Sequence, residues 1–388
     1  MARSTVRSRR RVRAVHVTAA LALVALGAAA CTSGAPEAGS DGPSPAPSRE
    51  SPPPLVDPSQ IVSGGPPPDG IPPIDEPKFE PASAVTSLVD KEPVIAVEIG
   101  GDARAYPAQV LLWHEIVNDT VGDVPVAVTY CPLCNTGIVF ERPTIDGELL
   151  DFGTSGKLYH SNLVMYDRQT ESYWPQALGQ AVTGPLTGTE LDLVPAQMLS
   201  WEDWRRANPD GKVLTRDTGD RRSYGTNPYV GYDQPGSRPF LFEGDIDPRL
   251  QPMERVLGVR VGKHAVAFPY GELRSDTGWG SGRARVGGRS VVVFWKAGTL
   301  SAVDAATIAD SRDVGATGAF DPHVDGRVLT FQAGDEGIVD VETGSRWDLL
   351  GRAFEGPLAG RELDRVVGIE SFWFDWAAFF PTTDIYRA

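Results

Sequence analysis

A pattern of residues that occurs twice in the chain constrains the fold more than any other feature of the sequence. The block DRQTESYW recurs as DVETGSRW, and two further blocks recur downstream, one residue closer together. The matched pairs are Asp167/Asp340, Thr170/Thr343, Ser172/Ser345, Trp174/Trp347, Gly184/Gly356, Pro185/Pro357, Leu186/Leu358, Trp201/Trp373, Trp204/Trp376 and Pro209/Pro381. Matches at constant spacing, three of them tryptophan, predict a tandem duplication.

Residues that both copies share are expected to build the fold. Asp167 and its neighbours predict a polar turn between two strands. The shared tryptophans predict packing positions. Ser200 with Asp203 is typical of a capping box at the start of a short helix. Residues that only one copy carries are the candidates for chemistry.

Short β-branched runs separated by Gly, Pro and Asp predict the fold class. We expect a mainly β protein with short helices (α+β), built as a tandem duplication of one β-rich unit. The expected organisation is a signal peptide at residues 1–30, a tether at 31–78, a first copy at 79–218 and a degenerate second copy at 219–388. The Pro/Ser/Gly-rich tether is expected to be disordered, because it has few apolar residues to bury.

The N-terminal residues predict the compartment. Six arginines precede an apolar stretch, Val15 to Ala30, which is too short for a permanent membrane span and is typical of a secretory signal peptide. The run LGAAAC resembles a lipoprotein processing site, which would make Cys31 a lipidated N-terminus. We therefore expect an exported protein on the outer face of the cytoplasmic membrane. Both the twin-arginine and the Sec route remain open.

The charge of the chain argues against nucleic acid as a partner. Cleavage before Cys31 removes six arginines and no acidic residue, so the formal charge falls from −15 to −21. A surface this acidic repels phosphates. The expected partner is the membrane, through the lipid on Cys31.

Cys131 and Cys134 form the only closely spaced cysteine pair, in the run PVAVTYCPLCNTGIVFER. Alternating apolar residues on both sides predict two strands, and Pro132 and Gly137 disfavour a helix across the gap. A Cys-x-x-Cys turn between strands is typical of a metal knuckle. A thioredoxin-type site would instead place the thiols at a helix N-terminus.

The run AYPAQVLLWHEIVND predicts a helix that begins after Pro107. His114 falls on its apolar face, together with Val110, Trp113 and Val117. His114 is therefore expected to point inward, close to the cysteine pair of the next strand.

The candidate site consists of residues that the second copy lacks. Lys296 and Thr299 stand where the first copy has its two cysteines. The expected metal ligands are Cys131, Cys134, His114 and His160. The residues expected to support them are Glu115, Asn118, Asp119, Met165, Arg168 and Gln176.

Three segments resemble a family of exported bacterial and archaeal proteins known as domain of unknown function 3179. They are YPAQVLLWHEIVNDTVGDVPVAVTYCPLCNTGIVFER, LDFGTSGKLYHSNLVMYDRQTESYWPQ and GPLTGTEL. The resemblance is strong from about Val94 to Leu214 and weaker over the second copy. It implies export and the fold unit but no established reaction. It also implies that family positions are occupied by His114, Glu115, Asn118, Asp119, Cys131, Pro132, Cys134, Asp167, Trp174 and Gln176. The counterpart of His160 is more often asparagine, which argues against an obligatory ligand there.

Three interpretations of the cysteine pair remain open. The thiolates and His114 bind one metal ion, with zinc favoured by a Cys₂His₂ set and copper by an added thioether. Alternatively, the cysteines form a disulfide, either structural or exchanging. In the third, one thiolate is a nucleophile and His114 is its base.

The sequence-based expectation is a metal-binding protein with a metal-handling or redox role, with copper favoured over zinc. The main alternative is a non-catalytic cell-surface scaffold in which Cys131 and Cys134 are disulfide-bonded. Nucleophile elbows, phosphate-binding glycine loops, HExxH motifs and dinucleotide fingerprints are absent from the sequence.

The lipidation prediction can be tested by substitution. Cys31→Ser removes the sulfur that would carry the lipid, so the variant should be misprocessed or leave the membrane fraction. Ser40→Ala, in the same segment, is the control and should remain with the membranes. Fractionation with mass spectrometry of the mature N-terminus makes the measurement. A wild-type chain cleaved elsewhere and without lipid would contradict the prediction.

Overall fold

The computed structural model describes residues 51–234 and 236–388, which fold mainly into β-strands joined by short turns. The expected class, mainly β with short helices, is therefore correct. The expected signal peptide, Cys31 and residues 31–50 of the expected tether lie outside the described residues. No helix in the described part of the chain has the length and apolar character needed to span a membrane.

The regular elements divide into two series along the chain. The first series of strands is β1 (Ile61–Ser63), β2 (Phe79–Pro81), β3 (Pro93–Ile99), β4 (Asp102–Pro107), β5 (Ile116–Val121), β6 (Val124–Cys131), β7 (Thr136–Glu141), β8 (Thr144–Ile145), β9 (Glu148–Leu149), β10 (Phe152–Tyr159), β11 (Asn162–Asp167), β12 (Tyr173–Pro175), β13 (Leu193–Val194), β14 (Ala196–Ser200) and β15 (Lys212–Leu214). The second is β16 (Arg255–Val261), β17 (His264–Pro269), β18 (Trp279–Val286), β19 (Arg289–Lys296), β20 (Ala316–Phe320), β21 (His323–Val324), β22 (Arg327–Val328), β23 (Phe331–Gly334), β24 (Gly337–Asp340), β25 (Arg346–Trp347), β26 (Ala353–Glu355), β27 (Gly368–Phe372) and β28 (Asp384–Ile385). The α-helices are α1 (Ala108–His114), α2 (Trp201–Ala207), α3 (Tyr270–Leu273) and α4 (Trp373–Phe379).

The two series pair their strands in the same order. One sheet contains β14-β3-β4-β15 in the first half and β27-β16-β17-β28 in the second. In both, the last strand lies parallel to its neighbour while the others are antiparallel. The meander β5-β6-β7 is matched by β18-β19-β20, and β10-β11-β12 by β23-β24-β25.

The polar turn predicted from the repeated block is present in both halves. The Asp167 carboxylate accepts a hydrogen bond from the indole Nε1 of Trp174 at 2.9 Å. The Asp340 carboxylate accepts one from Trp347 Nε1 at 3.0 Å. All four residues are fully buried. A buried indole N–H without an acceptor is costly, which explains why aspartate and tryptophan recur together.

The halves are joined through the core as well as through the chain. The Phe372 amide of β27 donates to the Cys134 carbonyl at 2.8 Å. The Gln197 side chain of β14 donates to the Leu349 carbonyl at 3.0 Å. One apolar cluster contains both Tyr130 of β6 and the start of α4. The cysteine turn therefore lies where the two halves meet.

The helix expected after Pro107 is shorter than the sequence pattern predicted. It ends at His114, and Ile116 already belongs to strand β5. Glu115 adopts a left-handed backbone conformation with φ of 59°. Its carbonyl accepts the Tyr130 amide of β6 at 2.8 Å. The β-branched residues that follow favour a strand, and pairing with β6 overrides the helical spacing.

The expected tether extends too far, since its later part is folded. Strand β1 pairs with β10, and Ile74 is buried, with its backbone hydrogen-bonded to strand β5. The segment lies so close to β10 that a Cβ added at Gly156 would be 1.9 Å from the Pro66 carbonyl oxygen. Scattered isoleucines give this Pro-rich segment apolar contacts, and its extended backbone suits the edge of a sheet.

Candidate functional site

The cysteine pair occupies a tight turn between β6 and β7, as the sequence predicted. Cys131 ends β6, and the Cys134 amide donates to the Cys131 carbonyl at 3.2 Å, which is the hydrogen bond of a β-turn. Asn135 completes the turn with φ of 54°, which asparagine tolerates. Both cysteines are free thiols and are at most 1% exposed.

A second turn brings a carbonyl oxygen to the two sulfurs. Tyr159 and Asn162 pair across the β10–β11 hairpin, and the two residues between them have φ values of 52° and 69°. Positive φ at both positions is typical of a type I′ turn. The Ser161 carbonyl oxygen lies 3.4 Å from the Cys134 sulfur and 4.0 Å from the Cys131 sulfur. Both thiols therefore face one acceptor.

Asp375 of helix α4 is the other acceptor at the dithiol. It is 1% exposed, and its carboxylate accepts hydrogen bonds from the Ser371 hydroxyl at 2.8 Å and the Asn162 amide at 3.1 Å. The Cys134 thiol donates to the Ser161 carbonyl and is close enough to the Asp375 carboxylate for the two groups to shift each other's pKa. No lysine or arginine of the described residues forms an ion pair with Asp375.

Burial controls the protonation of this pair. It raises the pKa of Asp375 to about 6, although the hydrogen bond from Cys134 opposes the shift. Burial also raises the pKa of the Cys134 thiol well above its usual value, as do its hydrogen bond to Cys131 and the Asp375 charge. Near neutral pH the site therefore contains a protonated Cys134 thiol beside an ionised carboxylate, which can accept its proton.

An uncharged network holds Asn162 in place. Its amide nitrogen lies 3.5 Å from Gln176 Oε1, and Gln176 Nε2 donates to the Thr129 hydroxyl at 2.8 Å. The Thr136 hydroxyl donates to Gln176 Oε1 at 2.5 Å. The amide of Gln176 thus connects both strands of the cysteine hairpin to the partner of Asp375. Of the six predicted supporting residues, Gln176 is the one that reaches the dithiol through this network.

The second half contains an ion pair at the matching place. Strand β19 ends at Lys296 as β6 ends at Cys131, and Lys296 Nζ lies 2.7 Å from the Asp203 carboxylate of helix α2. Asp203 also accepts the Ser200 hydroxyl at 2.8 Å, as Asp375 accepts its own preceding serine. The turn after β6 therefore places its thiols near Asp375 of the second half. The turn after β19 places the Lys296 ammonium group next to Asp203 of the first half.

His114 is buried as expected, but both of its ring nitrogens are bonded away from the cysteines. Nδ1 lies 2.6 Å from the Pro72 carbonyl and Nε2 lies 2.6 Å from the Tyr224 hydroxyl. Burial lowers the pKa of His114. The neutral imidazole of His114 holds the segment around Pro72 and the segment around Tyr224 against α1 through these two hydrogen bonds.

The four predicted metal ligands are not assembled into one group. No cluster of three or more His, Cys, Asp or Glu residues in the described ranges has the geometry to hold a metal ion. His160 is the first residue of the turn that contains Ser161, and its ring packs at an angle against aromatic rings, with centroids 4.2 Å from Tyr159 and 5.6 Å from Phe379. Burial lowers the pKa of His160.

Most of the other predicted supporting residues stabilise the first half. Asn118 donates to Asp75 at 2.7 Å and bonds the backbone of β10. Asp119 pairs with Arg104 at 2.7 Å. Arg168 pairs with Asp75 at 2.9 Å. Met165 is buried in the apolar core. These four residues were expected to support the metal ligands, but their contacts are with other parts of the first half.

Glu115 lines a cavity beside the cysteine turn. The cavity has a volume of about 290 Å³ and mainly apolar walls. Six of its lining residues are Ile71, Glu115, Leu133, Leu163, Tyr229 and Tyr232. Glu115 is 8% exposed, and no hydrogen bond to its carboxyl group is found among the described residues. Burial alone raises the pKa of Glu115 to about 8.

The sequence patterns missed the residues that the second half and the connecting segment contribute. Asp375 lies in the half of the chain without cysteines, so residue type and spacing give no indication that it is close to Cys134 in the folded chain. Tyr229 and Tyr232 come from residues 219–234, which contain no regular element. Their aromatic clustering was the one available signal that this segment covers an apolar surface.

Glu115 should make stability depend on pH. A folded-state pKa near 8 means that the folded chain binds the proton more tightly than the unfolded chain, so stability falls as pH rises from about 4.5 to about 8. Glu115→Gln removes this loss. The free energy of unfolding of E115Q should exceed that of the wild type by an amount that grows, toward basic pH, to on the order of 4 kcal/mol.

Denaturant titrations at several pH values measure this difference. Glu148→Gln, at an exposed position, is the matched control and should keep the wild-type pH dependence. A constant difference between E115Q and the wild type at every pH would show that Glu115 ionises normally in the folded chain.

The comparisons with known proteins assign a family but no activity. No curated protein and no solved structure gives a significant match. A family model described as "Protein of unknown function (DUF3179)" matches residues 68–383. The match covers the dithiol turn, α4 and the cavity residues from Ile71 onward, and the chain belongs to this family.

Proposed function

We propose that the protein is a lipid-anchored extracytoplasmic redox protein whose Cys131–Cys134 dithiol converts reversibly to a disulfide. The observation that carries the proposal is the burial of two free thiols in one turn, with the buried Asp375 carboxylate close enough for Asp375 and Cys134 to shift each other's pKa. Disulfide formation must remove the thiol protons, and Asp375 can accept one of them within the core. The export and the lipid on Cys31 are part of the proposal.

Charge favours disulfide chemistry at this place. The dithiol and the disulfide are both neutral, so their interconversion leaves no new net charge on the sulfurs in the core. A pair of bare thiolates would be costly there, since burial penalises the charged form. The turn is also short enough, because the first and last Cα atoms of a β-turn are less than about 7 Å apart, a separation that a disulfide can span.

The exchange can be written with a disulfide as the oxidant. The Cys131 sulfur attacks one sulfur of the oxidant, which forms a mixed disulfide and releases the first thiol. Cys134 then gives its proton to Asp375 while its sulfur attacks Cys131. The internal S–S bond forms as the mixed S–S bond breaks, and the departing thiolate takes up the proton held by Asp375 and leaves as the second thiol. Two electrons and two protons pass from the protein to the oxidant.

Asp375→Asn tests this role. The reduced wild-type protein should form one internal disulfide with glutathione disulfide, at a rate that shows an inflection near pH 6, where Asp375 ionises. Asparagine cannot accept the proton, so D375N should lose the inflection and react about a hundredfold more slowly. Alkylation at timed intervals followed by mass spectrometry gives the rates.

Asp203→Asn is the matched control, because Asp203 occupies the equivalent place in the second half. D203N removes a partner of Lys296 and should lose stability but keep the pH profile of the thiols. An unchanged profile in D375N would remove Asp375 from the mechanism. A dithiol that no disulfide reagent oxidises would contradict the redox proposal. A disulfide that no reductant opens would favour the scaffold alternative.

Copper(I) binding is the second candidate function, favoured by the way both sulfurs face the Ser161 carbonyl. Two converging thiolates suit a soft ion such as copper(I). Zinc would require four ligands, and the described residues near the turn supply two thiols and one carboxylate. Because fewer than four ligands are present, copper remains preferred over zinc. His114 and His160 are no longer among the proposed ligands, because their rings have other partners.

Anaerobic titration of the reduced protein with copper(I) against a competing chelator tests this candidate. One equivalent should bind, and Cys131→Ser or Cys134→Ser should lower the affinity at least a hundredfold by removing half of the ligands. His114→Gln, which keeps hydrogen-bonding groups, is the control and should bind normally. An equal loss in H114Q would restore the Cys₂His interpretation, and absence of binding in the wild type would exclude the candidate.

We further propose that the chain arose by tandem duplication. The matched sheet orders, the paired Asp–Trp hydrogen bonds and the equivalent positions of Cys131 and Lys296 support this. In this interpretation the second copy contributes Asp375 to the dithiol of the first, so neither copy contains the complete site.

A further inference from the structure

We propose that the cavity beside the cysteine turn binds the ring of a quinone, and that this quinone is the electron acceptor of the dithiol. The inference rests on the proposed redox function and names the substrate class of that site. It is carried by the size and apolar lining of the cavity, by two polar lining residues whose side-chain oxygens have no hydrogen bond among the described residues, and by the position of Leu133 in the cavity wall.

The cavity has the size and surface expected for a one-ring compound. Its volume is about 290 Å³, and each water molecule in the liquid occupies about 30 Å³. Ile71, Leu133, Leu158 and Leu163 supply aliphatic walls, and two tyrosine rings supply flat ones. Such a cavity favours a neutral ring over a charged or strongly hydrated ligand.

Two residues that line the cavity, Glu115 and Tyr229, have side-chain oxygens without a hydrogen bond among the described residues. Glu115 is more than nine-tenths buried and its carboxyl group has no hydrogen bond among the described residues. Near neutral pH it is a neutral carboxylic acid, because burial raises its pKa to about 8. The Tyr229 hydroxyl also has no hydrogen bond among them, and it is close enough to Glu115 for the carboxyl charge to raise its pKa further, beyond the effect of burial. Two neighbouring donors in an apolar cavity match a ligand with carbonyl acceptors.

Lys157, the one cationic residue that lines the cavity, does not favour an anionic ligand there. Lys157 lines the cavity, but its ammonium group lies 5.8 Å from the centre of the Tyr173 ring, in a cation–π contact. Burial is the sole cause of the Glu115 shift, so Lys157 does not stabilise a carboxylate there. The aliphatic stem of Lys157 is therefore the part that contributes to the wall.

The cavity adjoins the dithiol. Leu133, between the two cysteines in the turn, lines it. Tyr229 and Tyr232 line it too, and after burial the charge of the cysteine sulfurs contributes to raising the pKa of each. A quinone held here lies next to a two-electron donor, which is why we assign this class of carbonyl compound rather than a redox-inert one.

The reaction balances without a further reagent. The two thiol S–H bonds break and the Cys131–Cys134 S–S bond forms. The two electrons and two protons reduce both quinone carbonyls to hydroxyls, with Asp375 receiving the Cys134 proton on its way out. The products are one protein disulfide and one hydroquinone.

The segment that supplies part of the cavity wall exposes apolar side chains, as a lipophilic ligand would require. Phe240 lines the cavity and is 47% exposed, so the cavity reaches the surface beside it. Val230 and Leu241, in the same stretch of the chain, are 61% and 41% exposed. Exposed apolar side chains are typical of binding surfaces, and quinones with apolar chains are found in membranes.

The binding test uses tetramethyl-p-benzoquinone, whose substituted ring positions prevent a lasting thiol adduct. Calorimetric titration of the chain carrying Cys131→Ser and Cys134→Ser measures binding without electron transfer. Glu115→Leu and Tyr229→Phe, each added to this background, should weaken binding about tenfold by removing one hydrogen bond. Glu115→Gln keeps a donor and should bind nearly as well. Leu158→Trp should abolish binding by filling the cavity, whereas Val328→Trp, outside the cavity, should have no effect.

The reaction test mixes the reduced wild-type protein with one equivalent of the same quinone. One hydroquinone and one internal disulfide should form, and Leu158→Trp should prevent this while glutathione disulfide still oxidises the variant. If the quinone does not bind but disulfide reagents oxidise the dithiol, the quinone site is wrong and the redox function stands. If the quinone binds but no oxidant forms the disulfide, the redox function is wrong and the cavity remains a ligand site without a redox role. Oxidation by the quinone that Leu158→Trp leaves unchanged would place the reaction outside the cavity.

Discussion

The contact between the cysteine turn and helix α4 is the constraint on which the site depends. The Phe372 amide holds the Cys134 carbonyl at 2.8 Å, and Asp375 lies one helical turn further on, within reach of the Cys134 thiol. Because a carboxylate without a cation is costly in a core, its hydrogen bonds from Ser371 and Asn162 are what allow it to be there. The Gln176 network then fixes Asn162. The fold thus surrounds one buried acid with neutral donors.

The sequence predicted the elements whose pattern is local and missed those that depend on contacts between the halves. The turn at Cys131 and Cys134, the cap at Ser200 and the polar turn at Asp167 follow from spacing and residue type alone, and all are present. The helix at Ala108–His114 was extended too far, because apolar residues at helical spacing continue into β5, where pairing with β6 decides the conformation. The folded part of the N-terminal segment was missed because its isolated isoleucines do not form a periodic pattern.

The candidate site shows why a comparison between the repeated blocks of sequence can separate fold from chemistry only in part. It singles out the cysteines, because strand β19 ends at Lys296 where strand β6 ends at Cys131. It does not single out Asp375, because that residue approaches Cys134 only in the folded chain. Asp203 and Asp375 have the same place in the fold and different partners, and the partner determines the chemistry. His114 was misjudged for a related reason: Pro72 and Tyr224, which bind its nitrogens, are distant in sequence and belong to no regular element.

The two acid sites also explain how one backbone arrangement supports different chemistry. At Asp203 the carboxylate pairs with the Lys296 ammonium group, and the pair is partly exposed. At Asp375 none of the described lysines and arginines forms an ion pair and the carboxylate is more fully buried, so it depends on neutral hydrogen-bond donors. A thiol is such a donor, and it loses its proton when it forms a disulfide. A lysine in place of Cys131 would keep its proton near neutral pH. In the redox function proposed above, the lack of an ion pair at Asp375 among the described residues is the feature that suits the dithiol to proton-coupled chemistry. The burial that raises the pKa of Glu115 to about 8 gives the neighbouring cavity a second acid without a described ion-pair partner.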